Sequence, residues 1–252
     1  MQHEHLNIDT QGTVRILTLT GKPKRGNPLT QALASDLLAA VLDAENDSTI
    51  HAIVIAGTPT HFSVGADLNE VRQLSGVSAV LADWLQEFDR IAEARKPTIA
   101  AVRGYAMGGG FELALTCDLM VVAEDAQLAL PETGVGVIAG QGGTQRILQR
   151  AGRSYASDLI LTGRVLDGIE AVQAGIAARV CPTDQVVETA IAVAHDIAKR
   201  SPAAIRFARE VLHEASDNPI RQSLKMERLY ASLVLDTSEC RERIDAFFSR
   251  KS

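Results

Sequence analysis

The chain has 252 residues, 46% hydrophobic and 22% charged, the composition of an ordinary globular protein long enough for one large core. A net charge of −6 without any long basic run argues against a nucleic-acid surface, which needs clustered lysine and arginine. Three scattered cysteines, Cys117, Cys181 and Cys240, offer neither a disulfide framework nor a zinc site, and no apolar run approaches the roughly 20 residues that span a membrane.

In chain order, Met1-Gln2-His3-Glu4-His5 lacks the basic and apolar regions of a signal peptide, which with unpaired cysteines points to a cytoplasmic setting. Residues 14–19 alternate apolar and polar, as in a half-exposed strand. Leu29, Leu33, Leu37 and Val41 recur every four residues, the buried face of a helix. Residues 50–56 form a β-branched run that reads as a buried strand, and 77–95 as a helix ended by Pro97. Residues 98–102 and 118–123 read as two further strands, separated by a glycine-rich turn and a short helix over 111–116. Strands recurring between helices give an α/β core.

Past Ala139 helix signals dominate. Ser201-Pro202 and Asn218-Pro219 each pair an N-cap residue with proline at the first helical position, and a last helix runs from Ser238 to Phe248. These helices carry enough apolar residues to require a covering surface, either the core or another subunit. No linker composition and no fixed-period repeat appears, so the chain divides into a core over 1–195 and a helical extension over 196–252.

Glycine is dense in three places where compact folding alone does not require it. These are His61 to Leu68, Gly104 to Glu112, and Leu130-Pro131-Glu132 with the five glycines of 134–144. In the second, a buried strand meets a glycine turn and a helix start. Glycine leaves main-chain N–H groups uncovered, and a helix start adds orphan donors and partial positive charge. Such a place suits a developing negative oxygen. It lacks the ending of a Walker loop and the spacing of a dinucleotide fingerprint. A tight turn without any ligand, with Glu112 as a helix-start charge, is the plain alternative.

Gly104-Tyr105-Ala106-Met107-Gly108-Gly109-Gly110-Phe111-Glu112-Leu113-Ala114, preceded by Lys96-Pro97-Thr98 and followed by Cys117-Asp118, resembles the signature of the crotonase (enoyl-CoA hydratase/isomerase) superfamily. Phe62-Ser63-Val64-Gly65-Ala66-Asp67-Leu68, Pro131-Glu132, Gly142-Gly143-Thr144-Gln145-Arg146 and Leu161-Thr162-Gly163-Arg164 continue the resemblance in order. It implies an α/β spiral of ββα units with a helical C-terminal region that builds trimers, often paired into hexamers.

The resemblance further implies a thioester carbonyl held by the main-chain N–H groups of Ala66 and Gly109, and an enolate stabilised there. Glu112 and Glu132 match the two glutamates of the family's hydratases, one activating water and one delivering a proton. By analogy Glu112 takes the first task and Glu132 the second, although coupled carboxyls can exchange or share them. Coenzyme A, a part of the substrate and not a separate cofactor, falls along Ala66, Asp67, Leu68 and Asn69 and beside Gly109, and near Lys22, Lys24 and Arg25. Those cations read equally as phosphate ligands or as a solvated turn. Asp67 reads as structural in its loop, His61 as a surface residue and Cys117 as core; no metal site and no nucleic-acid partner are implied.

Hydration of a 2-enoyl-CoA to a 3-hydroxyacyl-CoA follows best from the two glutamates. A Δ3-Δ2 isomerase, which shuttles a proton on one carboxylate, and the hydrolase and lyase relatives are the enzymatic alternatives. A non-catalytic binding member would be expected to lose a glutamate or the glycine turn. Three departures from the usual pattern stand out: Gln141 at a commonly small position, Val64 for alanine, and Arg243 for glycine before Ile244-Asp245-Ala246-Phe247.

Overall fold

A computed structural model describes residues 4–81 and 86–249, without the side chains of 216 and 217. Two compact units divide at Ala194/His195.

The first unit opens on a hairpin, β1 (Leu6–Gln11) and β2 (Val14–Leu19), paired antiparallel with Leu6 opposite Leu19. The short turn is made by Gly12 and Thr13, and Gly12 has the positive φ of 58° that such a turn requires. β2 is more buried than its alternation predicts: only Arg15 and Thr18 are partly exposed, because the strand is second in its sheet and covered on both faces. Helix α1 (Gln31–Asn46) is capped by Thr30, whose hydroxyl accepts from the Leu33 N–H at 3.2 Å. It buries Leu33, Leu37 and Val41 as their spacing predicts. Leu29, in the same four-residue series, is buried but not helical; it bridges to Ala66 instead.

From here three turns of chain repeat one plan. The first runs β3 (Ala52–Ala56), β4 (His61–Ser63), α2 (Leu68–Val71), α3 (Gly76–Leu81) and α4 (Gln86–Ala92). The helix predicted over 77–95 thus appears as α3 and α4, and its residues 82–85 lie outside the described residues. The second turn is β5 (Thr98–Val102), β6 (Tyr105–Met107) and α5 (Gly109–Thr116). The third is β7 (Leu119–Ala123), β8 (Gln127–Ala129), a 3₁₀ turn at Glu132–Val135, α6 (Gly143–Thr162), α7 (Gly168–Gln173) and β9 (Arg179–Cys181).

Each turn lays its first strand in a six-stranded sheet, ordered β1-β2-β3-β5-β7-β9 and parallel from β2 onward. Its second strand joins a small parallel sheet, β4-β6-β8. This is a spiral of ββα units. The strands Ala52–Ala56 and Thr98–Val102, apolar except for Thr98, are buried at every position, as strands covered on both faces require.

The small sheet positions everything that follows. Its strands are parallel, with Met107 opposite Ala129 and Ala106 opposite both Ser63 and Leu128, and with a register shift in β4 between His61 and Ser63. All three therefore end at one edge, and the segments after them emerge side by side. Those segments begin at Val64, Gly108 and Leu130, the three glycine-dense stretches of the sequence.

The second unit contains α9 to α11, and α8 (Val186–Ala198) crosses the division. α9 (Pro202–Asp217) starts at Ser201, whose hydroxyl accepts from the Ala204 N–H at 3.4 Å, with Pro202 at the first helical position. Asn218 does not cap the following helix as predicted. Its side-chain Nδ2 donates back to Glu214 O at 3.0 Å and so closes α9, and Pro219 precedes α10 (Ile220–Leu235). With proline next, Asn218 is held extended (φ −113°, ψ 150°), and its side chain meets the carbonyls behind it. α11 (Ser238–Ser249) completes the unit. Arg243 bonds Glu239 at 2.8 Å and Lys199 O at 3.1 Å within it. Among the described residues no helix is long and apolar enough to cross a membrane.

Candidate active site

The segment after β4 is pinned by Leu29, whose N–H donates to Gly65 O at 2.8 Å and whose carbonyl accepts from the Asp67 N–H at 3.0 Å. Main-chain groups alternate in direction along an extended segment, so bonds through 65 and 67 turn the Ala66 N–H to the opposite side. That side faces the start of α5. Gly65, at φ +93°, packs so closely that a Cβ on it would stand 2.6 Å from Met107 O and 3.2 Å from the Gly109 nitrogen. No other residue fits.

The segment after β6 turns through Gly108, at φ 51° and ψ −127°, directly into α5. Gly109 is the first helical residue, two residues earlier than the sequence-based boundary at Phe111, because the glycines themselves take helical geometry. Its N–H is one of the orphan donors of a helix start. A Cβ on Gly109 would lie 3.5 Å from the Ala66 nitrogen, so the two amides border the same small space.

Glu112 is in the first turn of α5, only 2% exposed. Its Oε1 accepts the N–H groups of Gln141 and Gly143, each at 2.8 Å. Burial pushes its pKa above the usual carboxylate range; the N–H groups of Gly143, Gln141 and Gly140, and the Arg146 charge, oppose that shift without reversing it. Gly143 is obligatory here, since a Cβ would be 2.8 Å from the Glu112 Cγ. The helix carrying Glu112 is closed at its far end by Arg150, whose Nη2 donates to Leu115 O at 2.7 Å and Cys117 O at 3.4 Å.

Glu132 follows β8 at the start of the 3₁₀ turn. Its Oε1 lies 2.9 Å from the position of a Cβ on Gly108, which puts the carboxyl beside the glycine turn. Its Oε2 is buried and has no hydrogen-bond partner. Burial raises its pKa and the nearby Glu112 charge raises it further, opposed only by its own main-chain N–H. The two glutamates, 20 residues apart in sequence, thus reach one site through the parallel ends of β6 and β8.

The remaining predicted site residues are arranged around the first loop. Asp67 is buried and fully engaged: it accepts from the Asn69 N–H and Nδ2 at 3.0 Å each, and from Lys22 Nζ at 3.0 Å. Lys22 and the Asn69 N–H hold its carboxyl at about 2. Leu68 and Asn69 are exposed, and Lys24 and Arg25 project from an exposed 3₁₀ turn at Pro23–Arg25. That turn is anchored to the loop, since Gly26 O accepts from the Val64 N–H at 2.9 Å. Val64, in place of alanine, packs against Gly26, where a Cβ would be 2.5 Å from its Cγ1. His61 stacks on Tyr105 with 5.3 Å between ring centroids, and Cys117 is buried. Among the described residues no group of three or more His, Cys, Asp or Glu side chains is arranged to hold a metal ion.

Two contributors escape sequence reasoning. The main-chain amides of Gln141 and Gly143 hold Glu112, and Arg150 fixes its helix. Only the glycine density at 142–143 signals the first, and nothing local signals the second.

A family model described as enoyl-CoA hydratase/isomerase matches residues 9–252. A probable enoyl-CoA hydratase of Rhizobium meliloti (strain 1021) is 38% identical over 251 residues, covering all of this chain and 97% of the relative. The 2,3-dehydroadipyl-CoA hydratase of Escherichia coli (strain K12) is 37% identical over 248 residues, covering 98% of this chain and 96% of that protein. The crystal structure of an enoyl-CoA hydratase from Bacillus anthracis superposes with a TM-score of 0.92 at 30% identity, covering 98% of this chain and 96% of that one.

Proposed function

This chain belongs to the enoyl-CoA hydratase/isomerase family, and from that premise we infer that it is an enoyl-CoA hydratase, adding water reversibly to a 2-enoyl-CoA to give a 3-hydroxyacyl-CoA. The observation that carries the reading is the buried Glu112 and the half-buried Glu132, both with raised pKa, beside the main-chain nitrogens of Ala66 and Gly109, which border one space.

In the proposed mechanism the thioester oxygen accepts from the N–H groups of Ala66 and Gly109. Charge develops on that oxygen as the enolate forms, and one such donor lowers the barrier by about 3–4 kcal/mol. Glu112 takes a proton from water as its oxygen bonds to the β-carbon, and Glu132 gives a proton to the α-carbon on the same face. This division follows from their surroundings. Glu112 has two donors stabilising its anion, whereas Glu132 has a bare oxygen and a neighbouring negative charge that favour its protonated form.

The coenzyme A portion would run along Ala66 to Asn69, with Lys24 and Arg25 available to its phosphates. The Asp67 side chain supports that loop through Asn69 and Lys22. No separate cofactor and no metal enter the reaction. The second unit exposes Leu212, Ile220, Leu229, Leu233 and Leu235 by 44–71%, which supports assembly into a trimer or a pair of trimers through these helices. A cytoplasmic setting fits three cysteines that form no disulfide.

Loss of the conjugated-thioester absorbance of crotonyl-CoA, with 3-hydroxybutyryl-CoA as product, tests the reading. Activity confined to 3-enoyl-CoA would replace it with an isomerase, and inertness towards both would leave a binding protein.

A further inference from the structure

Gln141 is 4% exposed, and its side-chain Oε1 is buried without a hydrogen-bond partner. A buried amide oxygen left without a donor costs about 1–3 kcal/mol, and such orphans call for a partner that binds. The residue is held on both sides. Its N–H donates to Glu112 Oε1 at 2.8 Å, and its carbonyl accepts from Arg146 Nη1 at 2.5 Å. The side chain therefore leaves a fixed stretch of main chain, flanked by Gly140 and Gly142. Its end stands against Gly109: Oε1 is 3.0 Å and Cδ 3.5 Å from the point that a Cβ on Gly109 would occupy. The Ala66 nitrogen is 3.5 Å from that same point. A carboxamide and two main-chain donors thus border one small space.

We propose that Gln141 is a third donor to the thioester oxygen, through its side-chain Nε2. The inference rests on the hydratase reading, because that reading puts the oxygen between Ala66 and Gly109. The acyl group of an enoyl thioester carries no N–H or O–H, so an acceptor at this point has nothing on the substrate to accept from. Worse, Oε1 would confront an oxygen that becomes more negative as the enolate forms. The two ends of a primary amide are nearly the same size, so turning it about Cγ–Cδ brings Nε2 to the place of Oε1 without repacking. The buried orphan acceptor then becomes a donor aimed where negative charge grows, in line with the amides of Ala66 and Gly109. The reacting water does not need Gln141, since Glu112 and Glu132 already offer acceptors for both of its protons.

Two variants separate this role from a structural one: Gln141→Met, of similar length, and Gln141→Leu, of similar width, neither of which carries a donor at any pH. Both keep the main-chain bonds to Glu112 and Arg146. The first readout is the absorption of a bound aryl-conjugated enoyl-CoA, which shifts to the red as its carbonyl is polarised. The second is a pair of rates, crotonyl-CoA hydration and exchange of the α-protons of butyryl-CoA in D₂O. Exchange passes through the enolate but uses no attacking water. We expect a smaller red shift in both variants, and hydration and exchange falling together by roughly tenfold with KM little changed. An unchanged red shift, or hydration falling while exchange is preserved, would overturn the proposal; the latter would assign Gln141 to the water. If the wild-type enzyme left crotonyl-CoA untouched, the hydratase reading would fail on its own, and the red shift would still report on Gln141.

Discussion

Glu112 and Glu132 are the same residue in different electrostatic surroundings, and their substitutions should separate accordingly. Either one changed to glutamine removes a proton-transfer group and should lower the kcat of hydration by about 10²–10⁴, read from crotonyl-CoA turnover, with thioester binding largely kept. Glu132→Gln has a second consequence. Its folded-state pKa lies above the ordinary carboxylate value because the anion is buried with no donor on Oε2. The folded protein therefore binds that proton more tightly than the unfolded chain does. The resulting stabilisation is present at acidic pH and lost as pH rises through the raised pKa, so at neutrality the charged Glu132 weakens the fold. The glutamine variant should melt at a higher temperature than wild type at pH 7, and the gap should close on acidification. Equal melting temperatures at pH 7 would show that Glu132 feels no burial penalty. A more stable and less active variant is the usual signature of a functional group kept in a costly place.

At the scale of elements, helix α5 presents Glu112 and the Gly109 N–H together, so its position matters more than its eight residues suggest. Arg150 reaches across from α6 to the carbonyls of Leu115 and Cys117 at its C-terminus. Cationic donors at that end satisfy carbonyls that the helix cannot and complement its dipole. Arg150→Ala should cost about 2 kcal/mol in chemical denaturation, with kcat falling and the KM for crotonyl-CoA little changed. Wild-type stability would mean that these carbonyls find other donors. Gly65 acts at the same scale, since it lets the ends of β4 and β6 approach until main chain meets main chain, while Gly108 leaves room for the Glu132 carboxyl.

For the molecule as a whole, the helices of the second unit leave aliphatic side chains exposed in the single chain, Ile220 and Leu212 by 71% and 70%. An assembly that covers them is the physical expectation. Leu229→Glu combined with Leu233→Glu should shift the protein to a monomer in light scattering, and melting should become concentration-independent. A wild-type monomer at micromolar concentration would end the assembly proposal.

Local pattern was enough to identify much of this protein. The four-residue spacing of Leu33, Leu37 and Val41 marked α1, the β-branched runs marked β3 and β5, and glycine density marked all three loops of the site, since these signals come from neighbours along the chain. What local pattern missed depends on distant partners. The strands β4, β6 and β8 have only three residues each and no period to read, the alternation in β2 predicts a half-exposed strand where a buried one stands, and Asn218-Pro219 predicts a cap for α10 where the side chain instead closes α9. The sequence by itself determined the fold class and the residues able to do acid-base chemistry. Tertiary structure alone decided that Glu112 and Glu132 lie near enough for the charge of one to raise the pKa of the other, that Glu112 is held by the amides of Gln141 and Gly143, and that the Gln141 side chain lies against Gly109. Each of these depends on parallel strands ending at one edge, and that register is set by long-range pairing which no short window of sequence contains.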